Sequence, residues 1–198
     1  LFADDVAALL DILQIDKAYI CGISMGGFVA LKMALNHPEK VEGLILIDTA
    51  AHIPQKTVEV GGKWARAFAE EGLDAYIEAE TSTIFNPIFT RRHPDAVGAF
   101  KESMKTRDPT TTPRIQQGYM ESNLLLDEDI KSIAVPTLIV HGRDDQVVPA
   151  EEAESMHEKI PNSQIAIIPY AGHAALLERS DFFIDLITYF IDESEKAK

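Results

Sequence analysis

Cysteine is nearly absent from this chain of 198 residues: Cys21 is the only one. No disulfide can form within the chain, which fits a reducing compartment and makes a cytoplasmic location the expectation. Long apolar runs are missing too. None approaches the ~18 residues of a bilayer-spanning helix, so no membrane partner is expected. Positive charge is scarce, with 18 Lys and Arg against 32 Asp and Glu and a formal net charge of −14. That balance argues against nucleic acid or an anionic membrane surface as partner. There is no Cys–His cluster with metal-ligand spacing and no G-x-G-x-x-G, so neither a metal nor a dinucleotide cofactor is expected. No signal peptide is visible: Leu1, which is not a methionine, runs directly into an acidic, periodic segment.

What is present is apolar and periodic. Hydrophobic residues make up 46% of the chain, enough for a sizeable core. Phe2, Val6, Leu9 and Leu13 recur at spacings of four, three and four, which predicts one face of a helix. A short buried strand is expected over 17–22, then a helix over 25–36 that stops near Pro38. "VEGLILIDTA" (41–50), "PTLIVHG" (136–142) and "SQIAIIPY" (163–170) read as three further strands. "PAEEAESMHEKI" reads as a helix, and "SDFFIDLITYFIDE" as a C-terminal one with Phe183, Leu186, Tyr189 and Phe190 on its apolar face. Strands alternating with helices predict an α/β fold with a parallel sheet.

Residues 52–131 break the rhythm. They show helical stretches such as "KWARAFAEEGLDAYIEAE" and "PDAVGAFKESMK" and no convincing strand. They carry ten Lys/Arg and thirteen Asp/Glu, a net of −3, whereas the remainder carries eight and nineteen, a net of −11. The expected organisation is therefore a core of 1–51 and 132–198 with a helical cap inserted at 52–131.

Chemistry is concentrated at "ICGISMGGFVALKMA". Gly22-Ile23-Ser24-Met25-Gly26 fits G-x-S-x-G between a strand and a helix, the setting of a nucleophile elbow. There the backbone crosses close to itself, which requires small neighbours, and the serine oxygen projects from the turn. The backbone N–H of Met25, at the helix start, can donate to an oxyanion. A serine hydroxyl needs a base and an orienting acid. Of six histidines, His173 stands out, because "PYAGHAALLE" follows the last strand and lies at the sheet edge that carries the elbow. The acid should also hang from a strand's carboxyl end. "LIVHGRDDQVVP" offers Asp144 and Asp145, which pattern alone does not separate.

With "GISMGG", "HGRDDQVVP" and "AGH" in that order, the chain resembles the α/β-hydrolase superfamily over nearly its whole length. Its acid-loop pattern matches Gly142, Asp145 and Pro149, so the resemblance selects Asp145 as the acid. Within the superfamily, "YICGISMGGFVALKMALNHPEKVEGLILIDTA" looks closest to the 3-oxoadipate enol-lactonase and small carboxylesterase group, which carries its cap where 52–131 falls. The resemblance implies an α/β-hydrolase fold and a carboxylic-ester hydrolase acting on a small ester or lactone. Ser24 would be nucleophile, His173 base, Asp145 orienting acid and the Met25 amide an oxyanion donor, with no cofactor.

The chain also departs from the family. Only about twenty residues precede the elbow. The four expected strands correspond to the last part of the family's sheet, so the N-terminal strands and the glycine-rich loop that normally gives a second oxyanion donor are not in this chain. A fragment of a longer enzyme is the expectation, and a homodimer is the other way to cover the bare edge. Trp64, Phe68, Tyr76 and Phe85 are candidates to line the pocket, and Arg91, Arg92 or Arg114 could meet a substrate carboxylate. Thioester, amide and carbon–carbon cleavage and a haloperoxidase-like perhydrolase activity stay open, as does a weakly catalytic ligand receptor of the same fold.

Overall fold

The computed structural model describes residues 1–106, 108, 115, 118, 119 and 126–196. Arg114 lies outside the described residues. In chain order the elements are α1 (Phe2–Ile12), β1 (Ala18–Ile23), α2 (Met25–Asn36), β2 (Val41–Ile47), α3 (Gln55–Glu71), α4 (Leu73–Ile84), α5 (Pro87–Arg92), α6 (Pro94–Lys105), β3 (Thr137–Gly142), α7 (Glu151–Lys159), β4 (Ser163–Ile168) and α8 (Ser180–Lys196). A single helical turn, Ala175–Glu178, precedes α8.

The four strands form one parallel sheet in the order β1-β2-β3-β4. Gly22 is in register with Leu46, and Leu46 with Ile139. Parallel strands buried on both faces need apolar residues at every position, which explains the continuous run of β2. Leu44 and Leu46 enter the core that α1, α2 and α7 cover, with Leu31, Met33 and Met156. Ile45 and Ile47 enter the opposite core, where Phe183 and Phe190 of α8 cover the sheet. Same-handed crossovers between adjacent strands place their helices on one face; among the described residues, α8 and the turn at Ala175–Glu178 cover the other.

Two helix faces differ from expectation. On α1 the buried residues are Ala3, Ala7 and Leu10, while Phe2, Leu9 and Leu13 are exposed. Small residues let α1 sit close on α2, and that contact outweighs the larger apolar stripe. On α8, Phe183 and Phe190 are buried, but Tyr189 is exposed.

Helices α3 to α6 lie between β2 and β3. Gly72, at φ +87°, makes the sharp turn from α3 into α4, a conformation glycine adopts without a Cβ clash. Asn86 caps α5 by accepting from the Ile88 amide at 2.8 Å, with Pro87 in the first turn. Phe85 stacks on Phe89 and meets Phe100 edge-on. Thr57 of α3 donates to the Val147 carbonyl at 2.8 Å, and Asp127 pairs with Lys159 of α7, so the segment is tied to the core at both ends. Among the described residues, no helix is long and apolar enough to cross a membrane.

Candidate active site

Three loops leave the carboxyl ends of β1, β3 and β4 and converge. The first is the turn at Ser24, which sits at φ 50°, ψ −120°. A non-glycine residue held at positive φ is strained and persists only when its surroundings fix it. Here the Ser24 amide donates to Ile47 O at 2.9 Å. Its carbonyl accepts from Gly27 N at 2.9 Å and from Thr49 Oγ1 at 2.8 Å. Close packing does the rest: a Cβ on Gly27 would meet the Thr49 Cβ and Cγ2 at 2.5 Å. Met25 opens α2, so its N–H belongs to the first-turn donors that a helix leaves without an internal acceptor.

The second and third loops press together at Gly142, where a Cβ would collide with the Gly172 carbonyl and lie 2.6 Å from Ala171 O. That contact brings His173 Nδ1 to 2.7 Å from Asp145 Oδ2 and His173 Nε2 to 3.0 Å from Ser24 Oγ. The structure thus joins Ser24, His173 and Asp145 in one hydrogen-bonded line. Asp145 Oδ1 accepts from the Val147 and Val148 amides at 2.7 and 2.9 Å. The adjacent Asp144 is occupied elsewhere: its Oδ2 accepts from Asn86 Nδ2 at 2.8 Å.

Electrostatics follow from this packing. Burial alone would push the Asp145 pKa up, but His173 and His141 beside it hold the carboxyl well below the usual range. Burial would lower the His173 pKa, yet the Asp145 carboxylate outweighs it and holds the imidazole above its ordinary value. Behind the line lies a second tier that pattern reading missed. His141 Nε2 is 3.2 Å from Asp145 Oδ2 and 3.1 Å from Val148 O. Asp48, at φ 47°, accepts from Gly142 N at 2.9 Å and from Ala175 N at 3.2 Å. Burial raises its pKa to about 7. The ligand atoms of Asp48, His141 and Asp145 lie within 4.8 Å of one another. Asp48 at the end of β2 accepts amides from the acid loop and the histidine loop, and Asp145 accepts two amides of its own loop, so the arrangement reads as bracing. The signal for Asp48 was its place at the end of β2, on the elbow's edge of the sheet.

A cavity of about 880 Å³ opens over Ser24 and His173. Trp64, Phe68 and Tyr76 line it, as expected, and so do Ile84, Phe100 and Leu177. Phe85 does not, because it is buried against Phe89 and Phe100. Arg91 and Arg92 are exposed and do not line it either. Among the described lining residues the carboxylates are Glu80 and Asp108, and there is no Lys or Arg.

The family model described as alpha/beta hydrolase fold matches residues 1–180. A 2-hydroxymuconate semialdehyde hydrolase of Pseudomonas sp. strain CF600 is 26% identical over 201 residues, covering 99% of this chain and 69% of that protein. A thermophilic esterase from Thermogutta terrifontis, solved with malate bound, superposes with a TM-score of 0.85 at 28% identity, covering 97% of this chain and 71% of its own. The enol-lactonase from Burkholderia xenovorans LB400 superposes at 0.84 with 24% identity, over 96% and 71% of the two chains. With its parallel sheet and the matched family model, the chain belongs to the alpha/beta hydrolase fold family.

Proposed function

We propose that this protein is a serine hydrolase that cleaves a small carboxylic ester or lactone through an acyl-enzyme. The observation that carries the reading is the line from Asp145 through His173 to Ser24, with hydrogen bonds of 2.7 and 3.0 Å. Both distances lie within the reach that proton transfer requires. His173 Nε2 takes the Ser24 proton as Oγ attacks the substrate carbonyl. Asp145 accepts from Nδ1–H, which fixes the tautomer and stabilises the imidazolium that forms. The Met25 N–H steadies the tetrahedral oxyanion. His173 then protonates the leaving alcohol, and in the second step it activates the water that releases the acid.

Helices of the 52–131 segment act as a cap over this chemistry. The apolar lining suits an uncharged acyl group, and the water it excludes strengthens each electrostatic contact inside. The esterase named above, 28% identical, is in keeping with the ester reading. A panel of p-nitrophenyl esters and small lactones tests the reading, with Ser24→Ala as control. Turnover that disappears in Ser24→Ala is expected. Turnover that survives in Ser24→Ala, or none on the panel, overturns it.

A further inference from the structure

His173 is flanked by two amides, and each is held against the segment that joins α4 to α5. The Gly172 amide donates to Glu178 Oε1 at 3.0 Å, and that oxygen also accepts from the Asn86 amide at 2.9 Å. The Ala174 amide donates directly to Ile84 O at 3.0 Å. Asn86 is doubly anchored, since its Nδ2 donates to Asp144 Oδ2 in the acid loop at 2.8 Å. The surfaces are in full contact here: a Cβ on Gly172 would lie 2.6 Å from Ile84 O and 3.0 Å from Asn86 N. Glu178 is 6% exposed, and Asn86 is 4% exposed.

A buried carboxyl is costly to desolvate unless hydrogen bonds compensate it. Burial raises the Glu178 pKa, and its Oε2 has no hydrogen-bond partner among the described residues. Oε1 is therefore the working atom, and it accepts from one amide of each surface.

We propose that Glu178 is a positioning residue for His173: its carboxyl pins the histidine loop to the Ile84–Asn86 segment, and Asn86 joins that segment to the acid loop through Asp144. The position of the α4–α5 segment and the distance from His173 to Ser24 are then set together. A shift of the segment moves the amides on both sides of the imidazole at once. As far as it concerns turnover, this inference rests on the hydrolase reading. Its geometric content does not.

The test compares Glu178→Ala with Glu178→Gln, which keeps the Oε1 acceptor. Two readouts are taken well below the melting temperature: kcat and KM on a p-nitrophenyl ester, and the downfield His173 Nδ1 proton in the NMR spectrum. In Glu178→Ala, kcat falls roughly 10- to 100-fold, the scale of a small displacement of a reacting group. KM changes less than about threefold, and the Nδ1 proton broadens or vanishes. Glu178→Gln restores both. A folded Glu178→Ala with parental kcat and an unchanged Nδ1 proton overturns the proposal, as does a Gln variant as impaired as the Ala one. If Glu178→Ala does not fold, Asn86→Ser decides. Serine keeps an oxygen that can cap α5 but removes the Nδ2 donor to Asp144, so a kcat loss of at least about threefold at constant KM supports the proposal, whereas an unchanged kcat overturns it. Absence of ester turnover in the parent defeats the hydrolase reading alone, and the Nδ1 proton then decides the positioning claim.

Discussion

Alanine at Gly22 would place a Cβ on the Gly26 carbonyl, 2.5 Å from its carbon and 2.7 Å from Gly27 N. All three neighbours are backbone, so no side chain can swing aside. The elbow must open, or β1 must shift against α2. Forced overpacking costs about 1–3 kcal/mol, and a clash with helix backbone belongs at the upper end, about 3 kcal/mol. For a chain of this length that lowers Tm by roughly 6–12 °C. Gly26 is the control. It occupies the other glycine position of the motif, but a Cβ there meets nothing within 4 Å. Because Gly26 lies in α2, alanine stabilises by about 0.5–1 kcal/mol and raises Tm by ~1–4 °C. Thermal melts followed by circular dichroism read both variants. A Gly22→Ala protein melting within ~2 °C of the parent, or a Gly26→Ala protein losing as much as Gly22→Ala, would refute this account of the elbow.

Other outcomes follow from the same geometry. Asp145→Asn lowers kcat by roughly 10⁴-fold, the loss that this exchange produces in a Ser-His-Asp protease, whereas Asp144→Asn lowers it less than about tenfold, as steady-state kinetics will show. His173 must be neutral to accept the serine proton, and its pKa is raised by Asp145. Activity therefore falls as pH drops through a value above the ordinary histidine one, and in Asp145→Asn the acidic limb of kcat/KM moves to lower pH. A limb that stays in place removes Asp145 from the electrostatics of the base. Trp64→Ala empties part of the cavity wall and shifts preference toward longer acyl chains, with a relative gain in kcat/KM of about tenfold across a p-nitrophenyl ester series.

The sheet was legible because parallel strands buried on both faces leave continuous apolar runs, and 41–50 and 136–142 are such runs. The convergence of Ser24 and His173 was legible for a related reason: in a parallel sheet the loops after the strands share one edge. Asp145 was separable from Asp144 only through the family's acid-loop pattern, because two adjacent carboxylates have the same chemistry. What separates them physically is the pair of amides from Val147 and Val148 on one and Asn86 on the other. The buried face of α1 escaped periodicity because Ala3 and Ala7 count as weakly apolar, yet their smallness permits the contact with α2. Phe85 looked like a pocket residue, but its partners, Phe89 and Phe100, lie on two other helices. Glu178 and Asn86 are 92 positions apart, a separation that no local pattern spans.

Covalent labelling with a fluorophosphonate, read by intact mass and peptide mapping, bears most directly on the nucleophile. One adduct per chain on the peptide containing Ser24, slowed strongly in Asp145→Asn and absent in Ser24→Ala, is the expected result. No adduct, or an adduct on another residue that persists in Ser24→Ala, would contradict the assignment of Ser24 as an activated nucleophile.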